Sequence, residues 1–322
     1  MIRLVIVGCL VSGIAAVAAP VPKEEPPPTV LVMDGKEPVV MRADGTGVRR
    51  LSTKAWPEPL SFAVLSPDGK RVAYVLETPH PNPLVAVKCG KIVIRDVTDD
   101  GKGLDTGLDD YPYQWTKWTA DGKGLFGGWF DVGAPLEGGV QTRDPAWRGW
   151  TYDLAKKKLA DIDLHGDHQP VHQTRDGKHW LTFHIVGQAT KMKAGKSPWG
   201  EYEVCAADVK SSEVTRLFDS TDGYVVAGVP AMTGKLLVRD AADWTKPPLL
   251  VDVKDKSKVD VELPKSVQFE LTTDGTRILY VRQSDKPENK AQPWQLVATE
   301  ITGKKPTVIY QSKDALKLPL AR

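Results

Sequence analysis

The stretch Leu65-Ser66-Pro67-Asp68-Gly69-Lys70-Arg71-Val72-Ala73-Tyr74-Val75 joins an Asp-Gly pair to a run of β-formers. Asp-Gly accepts positive φ at little cost, so it closes a tight hairpin. The flanking β-branched and aromatic residues read as its two strands. The pattern returns at Trp118-Thr119-Ala120-Asp121-Gly122-Lys123, at Gln173-Thr174-Arg175-Asp176-Gly177-Lys178 and at Leu271-Thr272-Thr273-Asp274-Gly275-Thr276. The four aspartates are 53, 55 and 98 residues apart. The last interval is close to two periods, and a degenerate copy, Met232-Thr233-Gly234-Lys235, lies inside it.

Two further strand-like runs follow each hairpin. They are Lys91 to Val97 and Leu104 to Leu108; Gly149 to Leu154 and Leu159 to Leu164; Tyr202 to Val209 and Val214 to Phe218; Leu249 to Val253 and Val259 to Leu263; Gln295 to Ile301 and Thr307 to Tyr310. Four strands per period, with no long apolar stripe of helical period, predict an all-β propeller. A lone four-stranded sheet cannot bury both faces, whereas sheets stacked around an axis can. Five hairpins mark five blades. Val30 to Met33, Pro38 to Arg42 and Val48 to Leu51 form three strands of a sixth, and Ala315 to Leu320 is expected to supply its fourth and close the ring. Six blades is the expectation; seven, or five with an N-terminal arm, are the alternatives.

The ends read differently. Met1-Ile2-Arg3 is a short basic region, and Leu4 to Ala19 is an apolar run of about sixteen residues ending in Ala16-Val17-Ala18. That pattern predicts a signal peptide over 1–18, cleaved before Ala19. A lipobox at Ile6-Val7-Gly8-Cys9 and an uncleaved anchor are the alternatives, although the run is short for a hydrocarbon core of about 30 Å. Residues 19–29 form a Pro-rich charged linker, extended and stiff, which leaves 30–322 for the propeller. No other segment is apolar enough to span a membrane, so no membrane-spanning domain is expected after signal cleavage. Lys and Arg number 43 against 41 Asp and Glu, which gives no electrostatic reason to expect nucleic acid as partner. Cys89 and Cys205 remain after cleavage and are expected to be separate, buried and unpaired.

Residues 41–76 carry a more specific signal. Met41-Arg42-Ala43-Asp44-Gly45-Thr46-Gly47-Val48-Arg49-Arg50-Leu51-Ser52, followed by the Leu65–Val75 stretch, resembles the repeat of TolB-type propellers, DGSxxRRLT…WSPDGKxIAF. The match is partial at 118–126, 173–183 and 271–281 and poor at 229–240. The resemblance implies a propeller of the TolB-like, PD40 type. It further implies either a periplasmic scaffold that binds other envelope proteins or a propeller domain of the kind attached to serine peptidases. There is no G-x-S-x-G in the chain, so the peptidase nucleophile motif is absent.

Candidate site residues follow from the topology. In a propeller the loops that lead from one blade's outer strand into the next blade's inner strand share one face, around the channel. Trp56, Tyr111, Tyr113, His168 and Tyr224 are therefore expected to gather on one rim as binding residues. The inserts Val132 to Trp147 and Gly187 to Gly200 should open on the same face. His165, His168 and His172 could instead ligate a divalent metal, imidazole being suited to Zn, Cu or Ni, although their spacing matches no standard zinc motif. Otherwise no cofactor is expected. The functional expectation is an exported, monomeric, non-enzymatic propeller in the periplasm or outside the cell, binding an envelope or secreted protein or peptide on the lead-in face. The alternative is a small-molecule or carbohydrate binder, or a metal-dependent enzyme, at the channel mouth with His165, His168 and His172.

Overall fold

The computed structural model describes residues 28–51, 61–78, 89–98, 103–106, 108, 113–131, 146–164, 168–186, 201–265, 267–284 and 286–319. These form six four-stranded antiparallel sheets arranged as propeller blades. From the inner strand outward, blade 2 is Ser61–Leu65, Arg71–Thr78, Cys89–Asp96 and Leu104–Asp105. Blade 3 is Tyr113–Trp118, Gly124–Asp131, Ala146–Asp153 and Lys158–Ile162. Blade 4 is His168–Gln173, His179–Ile185, Tyr202–Asp208 and Val214–Asp219. Blade 5 is Tyr224–Gly228, Lys235–Asp240, Leu249–Asp252 and Lys258–Asp260. Blade 6 is Phe269–Leu271, Arg277–Gln283, Trp294–Glu300 and Thr307–Ser312.

Blade 1 is assembled from both ends of the chain. Its second, third and outer strands are Thr29–Asp34, Glu37–Arg42 and Arg49–Arg50, and its inner strand is the C-terminal Leu316–Lys317. The closing ladder is short, with Met33 opposite Lys317 and Asp34 opposite Leu316. The expected ring closure is therefore observed.

Six apolar clusters hold the ring, one at each junction between blades. The period-2 alternation of strand side chains explains how one strand serves two junctions. Val30 and Val32 pack toward Leu279, Leu296 and Ile309 of blade 6, while Leu31 between them packs toward Val72, Tyr74 and Val93 of blade 2. Leu236 and Val238 join Tyr202, Val204 and Phe218 of blade 4, while Leu237 joins Ile278, Tyr280 and Val297 of blade 6. Trp118, Trp150 and Tyr152 of blade 3 meet Val64, Val75 and Ile92 of blade 2. Phe126 of blade 3 packs on Trp180 of blade 4, with ring centroids 4.9 Å apart. Each fully buried Val or Leu contributes about 1.5–3 kcal/mol.

The Asp-Gly hairpins of blades 2, 3, 4 and 6 are built alike. The hydroxyl two residues before the aspartate, on Ser66, Thr119, Thr174 or Thr272, donates to its carboxylate at 2.5–2.7 Å. The same hydroxyl accepts the backbone N–H of Arg71, Gly124, His179 or Arg277 across the turn at 2.9–3.1 Å. The carboxylate accepts a second bond, from the N–H of Lys70, Lys123, Lys178 or Thr276. Turn glycines at φ +66°, +67°, +70° and +68° permit this closure. Neighbouring hairpins are tied together. Arg71 donates to the Gly122 carbonyl, the Ala120 N–H donates to Gln173, and Arg277 donates to the Ala43 carbonyl. Arg175 reaches two blades at once, donating to the Val229 carbonyl at 3.0 Å and the Thr273 carbonyl at 2.7 Å.

Candidate functional site: the axial channel

A cavity of about 770 Å³ runs through the middle of the ring. Blades 2 to 6 line it with their inner strands, and blade 1 with Thr29, Val30, Leu31 and Pro319. At one end lie Trp244, in the loop between the second and third strands of blade 5, and Gln268, in the lead-in loop of blade 6. At the other end lie Pro67, Ala120, Arg175 and Thr273 of the Asp-Gly hairpins. The cavity thus reaches both faces of the propeller. Its wall is mostly apolar, with Val64, Leu65, Val171, Val226 and Leu271 among its residues. Among the described residues, the charged ones lining it are Lys117, Arg175, Arg239 and Glu270.

Lys117 reaches the wall through the alternation of its strand. Trp118, on one face of blade 3, donates its indole N–H to the Val64 carbonyl of blade 2 at 3.0 Å. Lys117, one residue earlier, projects from the other face toward blade 4. Its ammonium donates to the Val171 carbonyl at 2.8 Å and lies 3.2 and 3.3 Å from Nδ1 and Nε2 of His172. Both residues are half-buried and line the channel. Burial lowers the Lys117 ammonium to about 8, against the opposing pull of the Glu270 carboxylate. Burial first, and the neighbouring Lys117 charge second, hold His172 well below the ordinary histidine range. The imidazole is therefore neutral at physiological pH.

At the lead-in end, the Arg239 guanidinium lies 4.2 Å from the centroid of Phe269 and 5.6 Å from that of Trp244. It donates long bonds, 3.4 Å to the Trp244 carbonyl and 3.3 Å to the Val267 carbonyl. Burial lowers its affinity for a proton from the usual guanidinium value. Trp244 is 47% exposed, an uncommon state for so large an apolar side chain.

The residues expected on the rim have different fates. Trp56, Tyr111 and His165 lie outside the described residues, as do the bulk of both inserts. Tyr113 begins the inner strand of blade 3, opposite Trp129. His168 is 9% exposed, stacks on His184 at 4.4 Å between centroids, and has Nδ1 3.1 Å from the Thr182 hydroxyl. Tyr224 is also 9% exposed; it meets Phe218 edge-on, and Lys258 lies over its ring. His168 and Tyr224 are thus packing residues at the head of their strands, and among the described residues Trp244 is an open aromatic at this end. His168 and His172 have separate partners. Among the described residues no three His, Cys, Asp or Glu side chains come together as a metal-binding group. Cys205 is buried and free, its thiol pushed up to about 11 by burial. Sequence inspection had no means of selecting Arg239, Trp244 or Lys117; only Trp244, an aromatic between Asp243 and Thr245 in a polar loop, left any signal there.

Fold and channel together define a six-bladed β-propeller. The chain superposes on TolB from Acinetobacter baumannii with a TM-score of 0.53 at 14% identity, covering 90% of this chain and 65% of that one. It superposes on a protein assigned as TolB from Agrobacterium tumefaciens with a TM-score of 0.52 at 12% identity, covering 89% of this chain and 90% of that one. An acylaminoacyl peptidase from Pyrococcus horikoshii aligns at a TM-score of 0.47 and 15% identity, over 77% of this chain and 39% of the peptidase. No family model matches the sequence, and no curated protein matches it significantly. At these identities the similarity establishes the fold alone. Among the described residues no helix is long and apolar enough to cross a membrane.

Proposed function

We propose that this chain is an exported, non-enzymatic propeller scaffold that binds a peptide or protein segment at the lead-in face of its channel. The observation that carries this reading is the channel mouth itself. An exposed Trp244 and the Arg239 guanidinium sandwiched against Phe269 stand at the end of an apolar cavity of about 770 Å³. Aromatic and Arg anchors around an apolar recess are what peptide recognition draws on. Tyr113, and Trp56 and Tyr111 of the lead-in loops, belong to the same proposed face. Export rests on the N-terminal sequence, which has the organisation of a secretory signal. The envelope or extracellular space is accordingly where the partner is sought.

The test is selection from a random peptide library displayed on phage, with the purified protein as bait. Enriched peptides should bind the wild type and lose about tenfold or more in affinity with Trp244→Ala, as measured by fluorescence anisotropy. Absence of any enriched sequence, or binders indifferent to Trp244→Ala, would refute the reading.

A further inference from the structure

The polar groups of the channel ask for a particular ligand chemistry. Among the described residues that line it, Lys117, Arg175 and Arg239 are cationic, against the carboxylate of Glu270. An ammonium carries three N–H donors. The Lys117 ammonium uses one on the Val171 carbonyl and faces the His172 ring with another, since a neutral imidazole offers one acceptor nitrogen. The described residues offer the third no acceptor within hydrogen-bonding distance. Arg239, with five N–H donors, makes two bonds to the described residues, both at 3.3 Å or longer. Arg175 differs, because its guanidinium is committed to the carbonyls of Val229 and Thr273. A cation with open donors is thus held at each of two depths, Arg239 at the lead-in mouth and Lys117 nearer the hairpin face, with apolar wall between them.

We infer that the channel is a carboxylate-binding site, in which the acidic side chain of a bound peptide passes Arg239 and ends on the Lys117 ammonium. This rests on the peptide-binding reading above and specifies its chemistry. An incoming carboxylate would give the half-buried ammonium a second counter-charge and occupy its open donor. Such charge-assisted bonds are strong when water is excluded. His172, neutral beside Lys117, adds no competing charge and limits the ammonium to one open direction.

The probes are a blocked hexapeptide, acetyl-Gly-Glu-Trp-Glu-Gly-Gly-amide, its counterpart with both Glu replaced by Gln, and glutarate. Each is titrated calorimetrically into the wild type, Lys117→Met, Lys117→Arg and Arg239→Gln, with melting curves to confirm folding. The expected result is that the wild type prefers the Glu peptide by about tenfold or more. Lys117→Met should abolish the preference, Lys117→Arg should retain most of it, and Arg239→Gln should weaken it by about threefold. Equal affinity for both peptides, or a preference that survives Lys117→Met, overturns the carboxylate site while leaving peptide binding intact. Lys117-dependent binding of glutarate with neither peptide bound supports the carboxylate site and overturns the peptide reading. Failure of all three probes overturns the site.

Discussion

The propeller closes its blades in two ways, and the contrast shows what an Asp-Gly turn supplies. In blades 2 to 6 the inner strand is joined to the second by a covalent hairpin, four of them with the Ser/Thr–Asp–Gly hydrogen-bond pattern. In blade 1 the same two positions are occupied by opposite ends of the chain, paired over two residues only. The seam compensates with a buried polar clamp. The Asp34 carboxylate, its side chain 1% exposed, accepts bonds from Ser312 at 2.5 Å, Tyr310 at 2.7 Å and Arg50 at 2.7 Å. These donors come from the outer strands of blades 6 and 1, so one carboxylate fastens the first blade to the last. A turn makes closure local and nearly free of loop entropy, whereas the seam brings together residues 282 apart, Asp34 and Leu316.

The largest effect should come from breaking the clamp. Asp34→Asn keeps the shape, but it removes the charge that faces Arg50 and places an amide N–H₂ toward hydroxyl donors. A loss of about 3 kcal/mol is expected, from hydrogen bonds to a buried charged group. Urea denaturation measures it, and a loss below about 1 kcal/mol would show that the apolar cluster alone holds the seam.

Acid should act on the same contrast. Burial raises the Asp34 pKa, but the bonds from Ser312, Tyr310 and Arg50 outweigh it and leave the pKa below the ordinary carboxylate value. At the hairpins, burial likewise opposes hydrogen bonding in Asp68, Asp121 and Asp274, and all three end lowered. A carboxyl group depressed in the folded state contributes stability that is present above its unfolded pKa, about 3.9 for Asp. That contribution is lost as pH falls through the folded value. Melting temperature should therefore drop steeply below about pH 4, and the drop should be shallower in Asp34→Asn. Parallel curves for the two proteins would assign acid sensitivity to the hairpins instead.

A smaller effect separates the hairpins from one another. Thr272→Val removes the hydroxyl that bonds Asp274 and the Arg277 N–H, at an expected cost of about 1–2 kcal/mol. The degenerate turn of blade 5 has Ala231 where the others have Ser or Thr, and Thr233 where they have Asp. Gly234 keeps φ at +73° there. Thr233→Val should thus change stability by less than about 0.5 kcal/mol. Equal losses at the two turns, read by thermal denaturation, would mean that the Asp-Gly pattern is ornamental.

The sequence made the blades legible because each carries a local, repeated signal. Asp-Gly spacings of 53 and 55 residues, and strand runs such as Tyr202 to Val209, map onto observed hairpins and strands. Even the non-local closure by Leu316–Lys317 could be read, since the first blade was one strand short. The site was legible only in part, because its contacts cross between blades. Lys117 meets His172, 55 residues on, by virtue of which blade face each side chain takes, and Arg239 meets Phe269 30 residues on. His168 and Tyr224 occupy the expected topological position, but their side chains turn into the blade packing. The start of an inner strand fixes where a backbone sits and leaves the orientation of its side chain to local alternation and bulges, such as the one between Pro170 and His172.

Because Thr29 and Lys317 end adjacent antiparallel strands of one blade, the gap between them is the place where a sixth hairpin would stand. A short peptide bridging that gap would make the backbone a continuous circle. New termini could then be cut at any of the other hairpins, with the blade order rotated and every junction between neighbours preserved.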